Sequence, residues 1–264
     1  MAFDLNLSGK AVPADTVISG GATLTYNGLS GSFGSQRRSY ELKIPALDID
    51  AVVMQPQGND RPLSNGYGIF LTPFFLNYML AGSWNLSPSD GHATLIYGDF
   101  VTGFQTPVSA VPSSGQGIYS TSLTNSAGAV IVPQVSGTIL FSPYGSVVVG
   151  SVSGNATITV NFPDGSVSGM MTNMFASNLS GVPGTGAWND VRLTGTLSGA
   201  ALSGTTAAAS PPAVAMAFDM NSTGTFDGAL FGPTGQELGL VWTLHDPTGE
   251  GKTAFGFIAV GKTN

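Results

Sequence analysis

Apolar and polar positions alternate with a period of two along most of this chain, and turn signals recur about every ten residues. The clearest case is Asn155–Phe162. There Ala156, Ile158, Val160 and Phe162 share one face of a strand, while Asn155, Thr157, Thr159 and Asn161 share the other. A strand split in this way is buried on one side and wet on the other. It is followed by Pro163-Asp164-Gly165, a tight-turn signature, and then by a second candidate strand over 166–173. Further strands are predicted over 116–124, 137–141, 190–199, 213–221, 223–232, 238–245 and 252–261. Nine such segments, or eight if 137–149 is set aside, make a sheet large enough to curl and close, which removes its open edges.

The first half is β-rich but less regular. Residues 16–28 read as a hairpin and 39–45 as a strand. The stretch 67–84 is the most apolar in the chain; Pro73 divides it into strand–loop–strand or a short helix before a strand. Ser, Pro and Gly concentrate over 108–117, which marks a boundary between a β-rich N-terminal domain (1–112) and a barrel domain (113–264). The expected fold class is therefore all-β: an irregular N-terminal β domain, then an eight-stranded antiparallel β-barrel.

Composition agrees with this reading and narrows the function. Of the 264 residues 42% are hydrophobic but only 9% are charged, and 37 are Gly. Gly, Ser, Thr and Asn suit turns and short strands and form helices poorly. No apolar run reaches the 18 residues of a membrane-spanning helix, and the first residues show no secretion signal. With no Cys, the chain has no disulfide, thiolate metal site or thiol nucleophile. The net charge is −7, and no Lys or Arg lies between Arg61 and Arg192. A nucleic-acid binder needs clustered cations, and the one cluster here (Arg37, Arg38, Lys43) reads as a solvated strand edge.

Few residues could carry chemistry. The chain has two His and none of the common nucleophile, phosphate-loop, zinc or calcium motifs, so it is read as a non-enzyme. His245 precedes Asp246-Pro247 and reads as an exposed turn residue, while Glu237 reads as a capping or turn acceptor. Met170, Met171 and Met174 could offer soft metal ligands, although gap-filling packing explains them more simply. His92 follows the turn 87–91 and allows two readings. In one it is a solvated hairpin residue, and the aromatics near it are core. In the other His92 is an axial metal ligand, and Tyr78, Met79, Trp84, Tyr97 and Phe100 line a slot for a flat apolar ligand such as haem, with Phe70, Phe74 and Phe75 close in sequence.

Three motifs occur in order over about residues 78–262. The last is Gly224-x-Phe226-x-Gly228-x-Leu230-Phe231-Gly232-Pro233, then Glu237 and Gly239, with a final strand ending in Gly261-Lys262. The others are Tyr78–Trp84 followed by 95–120, and the strand–turn–strand 156–169 with Phe162 before the turn. Together they resemble the barrels of the transferrin-binding-protein-B-like family, with Leu230 in place of the usual aromatic. The resemblance implies an extracytoplasmic binding protein, secreted or at the cell surface. Some relatives are surface lipoproteins that capture host proteins; others are soluble haem carriers, the hemophilins, and both kinds often work with a TonB-dependent outer-membrane receptor. The two-part layout and the lack of a lipid-anchoring Cys are closer to the hemophilin type, which makes haem the implied cofactor, bound by His92 with water, Tyr78 or Met79 opposite. The alternatives are a protein-interaction module docking a host or receptor protein without a cofactor, and a small-ligand carrier using the barrel interior. Low charge and a closed barrel are compatible with a monomer.

Overall fold

A computed structural model describes residues 2–8, 18–30, 37–44, 49–54, 67–71, 76–86, 96–121, 123–124, 130–131, 135–141, 148–178, 185–211, 218–248 and 252–263. The fold is all-β. A first sheet holds β1 (Ala2–Ser8), β2 (Ile18–Ser30), β3 (Arg37–Ile44), β4 (Ile49–Met54), β5 (Tyr67–Leu71), β6 (Met79–Leu86) and β7 (Ile96–Gly103). Its spatial order is β4-β3-β2-β1-β7-β6-β5, so the first and last strands of the lobe meet in the middle, β1 beside β7.

Two features of this lobe differ from the expected pattern. Residues 18–30 form one long strand, not a hairpin. Gly20-Gly21 is a bulge: Leu5 pairs with Ala22 but Asn6 pairs with Ser19, leaving two residues of β2 unmatched. Glycine suits a bulge as well as a turn, and the partner strand decides which forms. In the apolar stretch β5 ends at Leu71 and β6 starts at Met79, and residues 72–75 between them lie outside the described residues.

A connector with a short 3-10 turn at Val108–Ala110 leads to the second lobe. This lobe contains β8 (Gln116–Ser120), a small hairpin of β9 (Leu123–Thr124) and β10 (Val130–Ile131), β11 (Val135–Phe141), β12 (Val148–Asn161) and β13 (Ser166–Asn178). It continues with β14 (Gly186–Ala187), β15 (Val191–Ser198), β16 (Ala201–Ala208), β17 (Thr223–Phe231), β18 (Glu237–His245) and β19 (Thr253–Lys262). These strands close into an eight-stranded antiparallel barrel. One of its staves is split: β8 and β11 lie end to end between β12 and β19. β8 pairs with residues 157–161 and 261–262, and β11 with 148–154 and 253–258. The chain leaves the wall after β8, forms the β9–β10 hairpin and returns to the same stave.

The β12–β13 hairpin follows the sequence pattern. Ala156, Ile158, Val160 and Phe162 are buried, and Asn155 and Thr157 are exposed. Asp164 accepts the Ser166 N–H at 2.8 Å, and Gly165 takes the left-handed conformation (φ +69) that closes the turn. Of the strand expected over 213–221, the described part, 218–221, is a turn and not a strand, and 213–217 lie outside the described residues. In its place β16 forms one stave. This strand carries Leu202 as its one large apolar residue, because Phe226 on the neighbouring strand fills the space beside it. A Cβ at Gly204 or Gly195 would meet the Phe226 ring at 2.6 Å.

The barrel interior is one contiguous cluster that includes Tyr119, Ile158, Met171, Trp188, Phe226, Leu240 and Trp242. The exposed side of the wall carries hydroxyls. Thr159, Ser168, Thr194, Thr205 and Thr225 form a row across five strands. A membrane-spanning barrel would show an apolar band there. Met171 and Met174 point into the core while Met170 lies outside, so the three thioethers do not converge.

β18 and β19 do not alternate; nearly every residue in both is buried. Their inward side chains join the barrel core. Val241, Phe257 and Ala259, with Ala229 and Phe231 of β17, instead pack outward against Met79, Ala81 and Val101 of the first sheet. Strands covered on both faces read as continuous apolar runs. This covered wall is where the two lobes dock.

Candidate functional site

Of the candidate residues, Tyr78, Met79 and Glu237 meet at this docking surface. The segment entering β6 is held by a carboxylate from the barrel. Glu237, the first residue of β18, accepts the Asn77 N–H at 2.6 Å and the Tyr78 N–H at 2.9 Å. Burial pushes its carboxyl above the ordinary value, against the pull of the backbone donors of Asn77, Tyr78 and Met79. The sequence expectation of an acceptor holds, but the donors belong to the other lobe. Buried hydrogen bonds to a charged group contribute about 1.5–3 kcal/mol each. A surface pair such as Lys43–Glu41, at 3.2 Å, contributes about 0–1 kcal/mol. The clamp therefore outranks such surface pairs.

The chain leaving β7 adds backbone bonds. Phe104 donates its N–H to the Tyr78 carbonyl at 2.8 Å, and Gly232 donates its own to the Phe104 carbonyl at 2.8 Å. Thr106 donates its N–H to the Leu230 carbonyl (2.9 Å) and its hydroxyl to the Gly232 carbonyl (2.7 Å). Gly232 (φ +89) ends β17 and lets the Tyr78 ring lie against its backbone; a Cβ there would be 2.7 Å from Cδ2. Met79 does the same at Gly239, where a Cβ would sit 2.3 Å from its Cε and 3.0 Å from its Sδ.

A second carboxyl lies at the junction. Asp99 of β7 is 1% exposed, and Ser83 of β6 donates to its Oδ1 at 2.6 Å. Its Oδ2 has no partner. Burial pushes this carboxyl up to about 7, with the Ser83 hydrogen bond pulling the other way. Sequence reading missed it, since an Asp between Gly98 and Phe100 resembles a turn residue more than a buried group.

Of the candidates for a flat ligand, Met79 and Phe100 do not share a face. Met79 pairs with Gly103 and Phe100 with Gly82, so the two lie on opposite faces of the β6–β7 pair. Met79 packs on the barrel and Tyr78 on its Gly232 turn, while Phe100 is fully buried on the far face. Trp84 and Tyr97 stand opposite Gly98 and Asn85 in the register. His92, Phe74 and Phe75 lie outside the described residues. The described groups thus do not fit a planar cofactor held between Met79 and Phe100. His245 ends β18 half-buried, with Nδ1 3.3 Å from the Thr253 Oγ1, so it belongs to a strand end and not to an exposed turn tip.

On the exposed wall an open groove of about 390 Å³ is lined by Thr157, Thr159, Ser168, Met170, Arg192 and Thr194. It offers hydroxyls and a guanidinium, with no carboxylate or imidazole beside them to serve as a base. Among the described residues no three His, Asp or Glu side chains gather to hold a metal ion, and no helix is long and apolar enough to cross a membrane.

A packed barrel with a second β-sheet lobe locked to one wall defines a two-lobed, all-β scaffold. Residues 112–260 match the family of C-lobe and N-lobe β-barrels of Tf-binding protein B, and the chain belongs to that family. Among solved structures it is similar to transferrin binding protein B of Haemophilus parasuis Hp5, a vaccine antigen. One variant aligns at 13% identity and a TM-score of 0.55, over 99% of this chain and 45% of that one. A second variant aligns at 11% identity and a TM-score of 0.52, over 98% and 44%. The chain therefore spans a little under half the length of the solved proteins it matches, and at these identities the likeness establishes the fold alone. No curated protein matches the sequence.

Proposed function

We propose that this protein is a non-enzymatic, extracytoplasmic binding protein that captures a host protein of iron transport through its first lobe, with the barrel as a rigid platform. Membership of the Tf-binding protein B family carries the reading. The docking geometry supports the division of labour. The barrel commits one wall to the first lobe and fills its interior with side chains, which leaves little role for a carrier cavity. A position at the cell surface and cooperation with an outer-membrane receptor belong to the same proposal. Haem binding through His92 is the competing outcome, with no common face for a planar ligand at Met79 and Phe100 to favour it.

Surface plasmon resonance of the full chain against iron-loaded and iron-free serum transferrin tests the proposal, with hemin titrated in parallel for wild type and His92→Ala. Saturable transferrin binding with no Soret shift supports protein capture. A Soret band lost in His92→Ala would replace it with the haem reading. Binding of neither ligand would overturn transferrin as the captured protein.

A further inference from the structure

The two carboxyl groups at the lobe junction perform different tasks. Glu237 is fully engaged, with both oxygens accepting backbone N–H groups from the segment entering β6. Asp99 is not: one oxygen takes the Ser83 hydroxyl and the other faces no donor. Asp99 shares a strand face with Val101, which packs with Ala81 against Val241, Phe257 and Ala259 of the barrel. The group therefore sits under the docked barrel wall, where an ionised carboxylate would have one oxygen without water or donor. Leaving a buried charge unpaired in this way is strongly unfavourable. A neutral carboxyl carries a far smaller penalty.

Among the described residues no cation is recorded beside Asp99. The titratable or charged residues on the strands around Asp99 are Asp4 of β1, Tyr97 of its own strand, Asp227 of β17, Glu237 and His245 of β18, and Lys252 and Lys262 flanking or ending β19; Asp227 shares a face with Ala229 and Phe231, and burial raises its carboxyl too. β6 contributes none. Among the described residues Ser83 is the one hydrogen-bond partner of the Asp99 carboxyl. Lys252 lies 3.8 Å from Asp246, and Lys262 lies over the Phe162 ring.

We propose that the junction is an acid-strengthened latch: protonation of Asp99 removes an uncompensated buried charge under the docked wall and tightens the first lobe on the barrel. Deprotonation loosens it, because the carboxylate gains hydration when the lobes part. The Glu237 clamp fixes the register of the docked state. The sign follows from linkage. The docked state holds a proton that the opened state releases, so docking is strongest at low pH and weakens as pH rises toward the docked-state value of about 7. From an open-state value of 3.8 to a docked value of about 7, the docking constant changes roughly twentyfold between pH 5.5 and 7.5.

Hydrogen exchange on the full chain reads this directly, through the amides of Tyr78, Thr106 and Gly232 that cross the junction. After correction for intrinsic rates, protection is expected to be roughly twentyfold higher at pH 5.5 than at 7.5. Asp99→Asn keeps the Ser83 bond and removes the charge, so its protection should be high and pH-independent over this range. Equal protection of the wild type at both pH values, or an unchanged pH dependence in Asp99→Asn, overturns the latch. Should Asp99→Asn not fold, a carbon-13 titration of aspartate carboxyls in the wild type decides. One carboxyl titrating near neutrality is expected, and titration of all below pH 5 overturns it.

Discussion

The Glu237 carboxylate accepts the Tyr78 backbone N–H at 2.9 Å, although 159 residues separate the two in the chain. A barrel strand thereby fixes where the first lobe's strand β6 begins. Tyr78 returns the contact by laying its ring on the Gly232 turn that precedes Glu237. The pair links the two lobes into one body, and several consequences can be measured.

Removing the clamp should destabilise the junction first. Glu237→Ala leaves the Asn77 and Tyr78 N–H groups without their acceptor and is expected to cost about 2–4 kcal/mol. Glu237→Gln keeps one acceptor oxygen but turns an amide donor toward the other N–H, so it should fall between Ala and wild type. Urea unfolding gives the totals. Hydrogen exchange should show protection lost earliest at Asn77–Met79, and uniform loss across the barrel would contradict the assignment.

Packing at Gly239 and at Gly195 should respond differently to the same added methyl. At Gly195 a Cβ would lie 2.1 Å from the Ser203 carbonyl oxygen and 2.6 Å from the Phe226 ring, so backbone must shift. Gly195→Ala is expected to cost about 3 kcal/mol. At Gly239 the nearest atoms are the Cε and Sδ of Met79, the movable end of a flexible side chain, so Gly239→Ala should cost about 1 kcal/mol. In a Met79→Ala background the Gly239→Ala cost should vanish, which a double-mutant cycle measures.

Asp246 should make the barrel sensitive to acid. Burial raises its carboxyl, but the Thr248 hydroxyl and N–H, the Asp219 N–H and Lys252 overcome this and hold it below the ordinary value. A depressed carboxyl contributes stability that is present above the unfolded value and lost as pH falls through the folded one. Thermal unfolding should therefore show a loss of stability below about pH 4 that Asp246→Asn reduces, at a cost of about 1–2 kcal/mol near neutrality. This slope is opposite in sign to that of Asp99 and lies in a separate pH window.

Much of the fold is legible in the sequence where one face is wet. The alternation over Asn155–Phe162 becomes half of the longest hairpin of the barrel, with the expected residues inside. Legibility fails where a neighbour decides the outcome. β16 was not expected because its inward positions are small, and they are small because Phe226 occupies that space. Gly20-Gly21 looks like a turn until β1 pairs across it and makes it a bulge. β18 and β19 are legible as strands, but nothing local says that a second lobe covers their outer side. The candidate site shows the same limit. Glu237 is readable as an acceptor, whereas its donors lie in a segment about 160 residues away. The aromatics around 70–100 read as one group, whereas the register puts Met79 and Phe100 on opposite faces.

The central claim is that the first lobe meets the partner and the barrel carries it. A hydrogen-exchange footprint of the full chain with and without saturating serum transferrin tests it most directly. The account predicts new protection within residues 1–103, with the hydroxyl-bearing wall of β12, β13, β15 and β16 unchanged. Protection on that wall, with none in the first lobe, would contradict it.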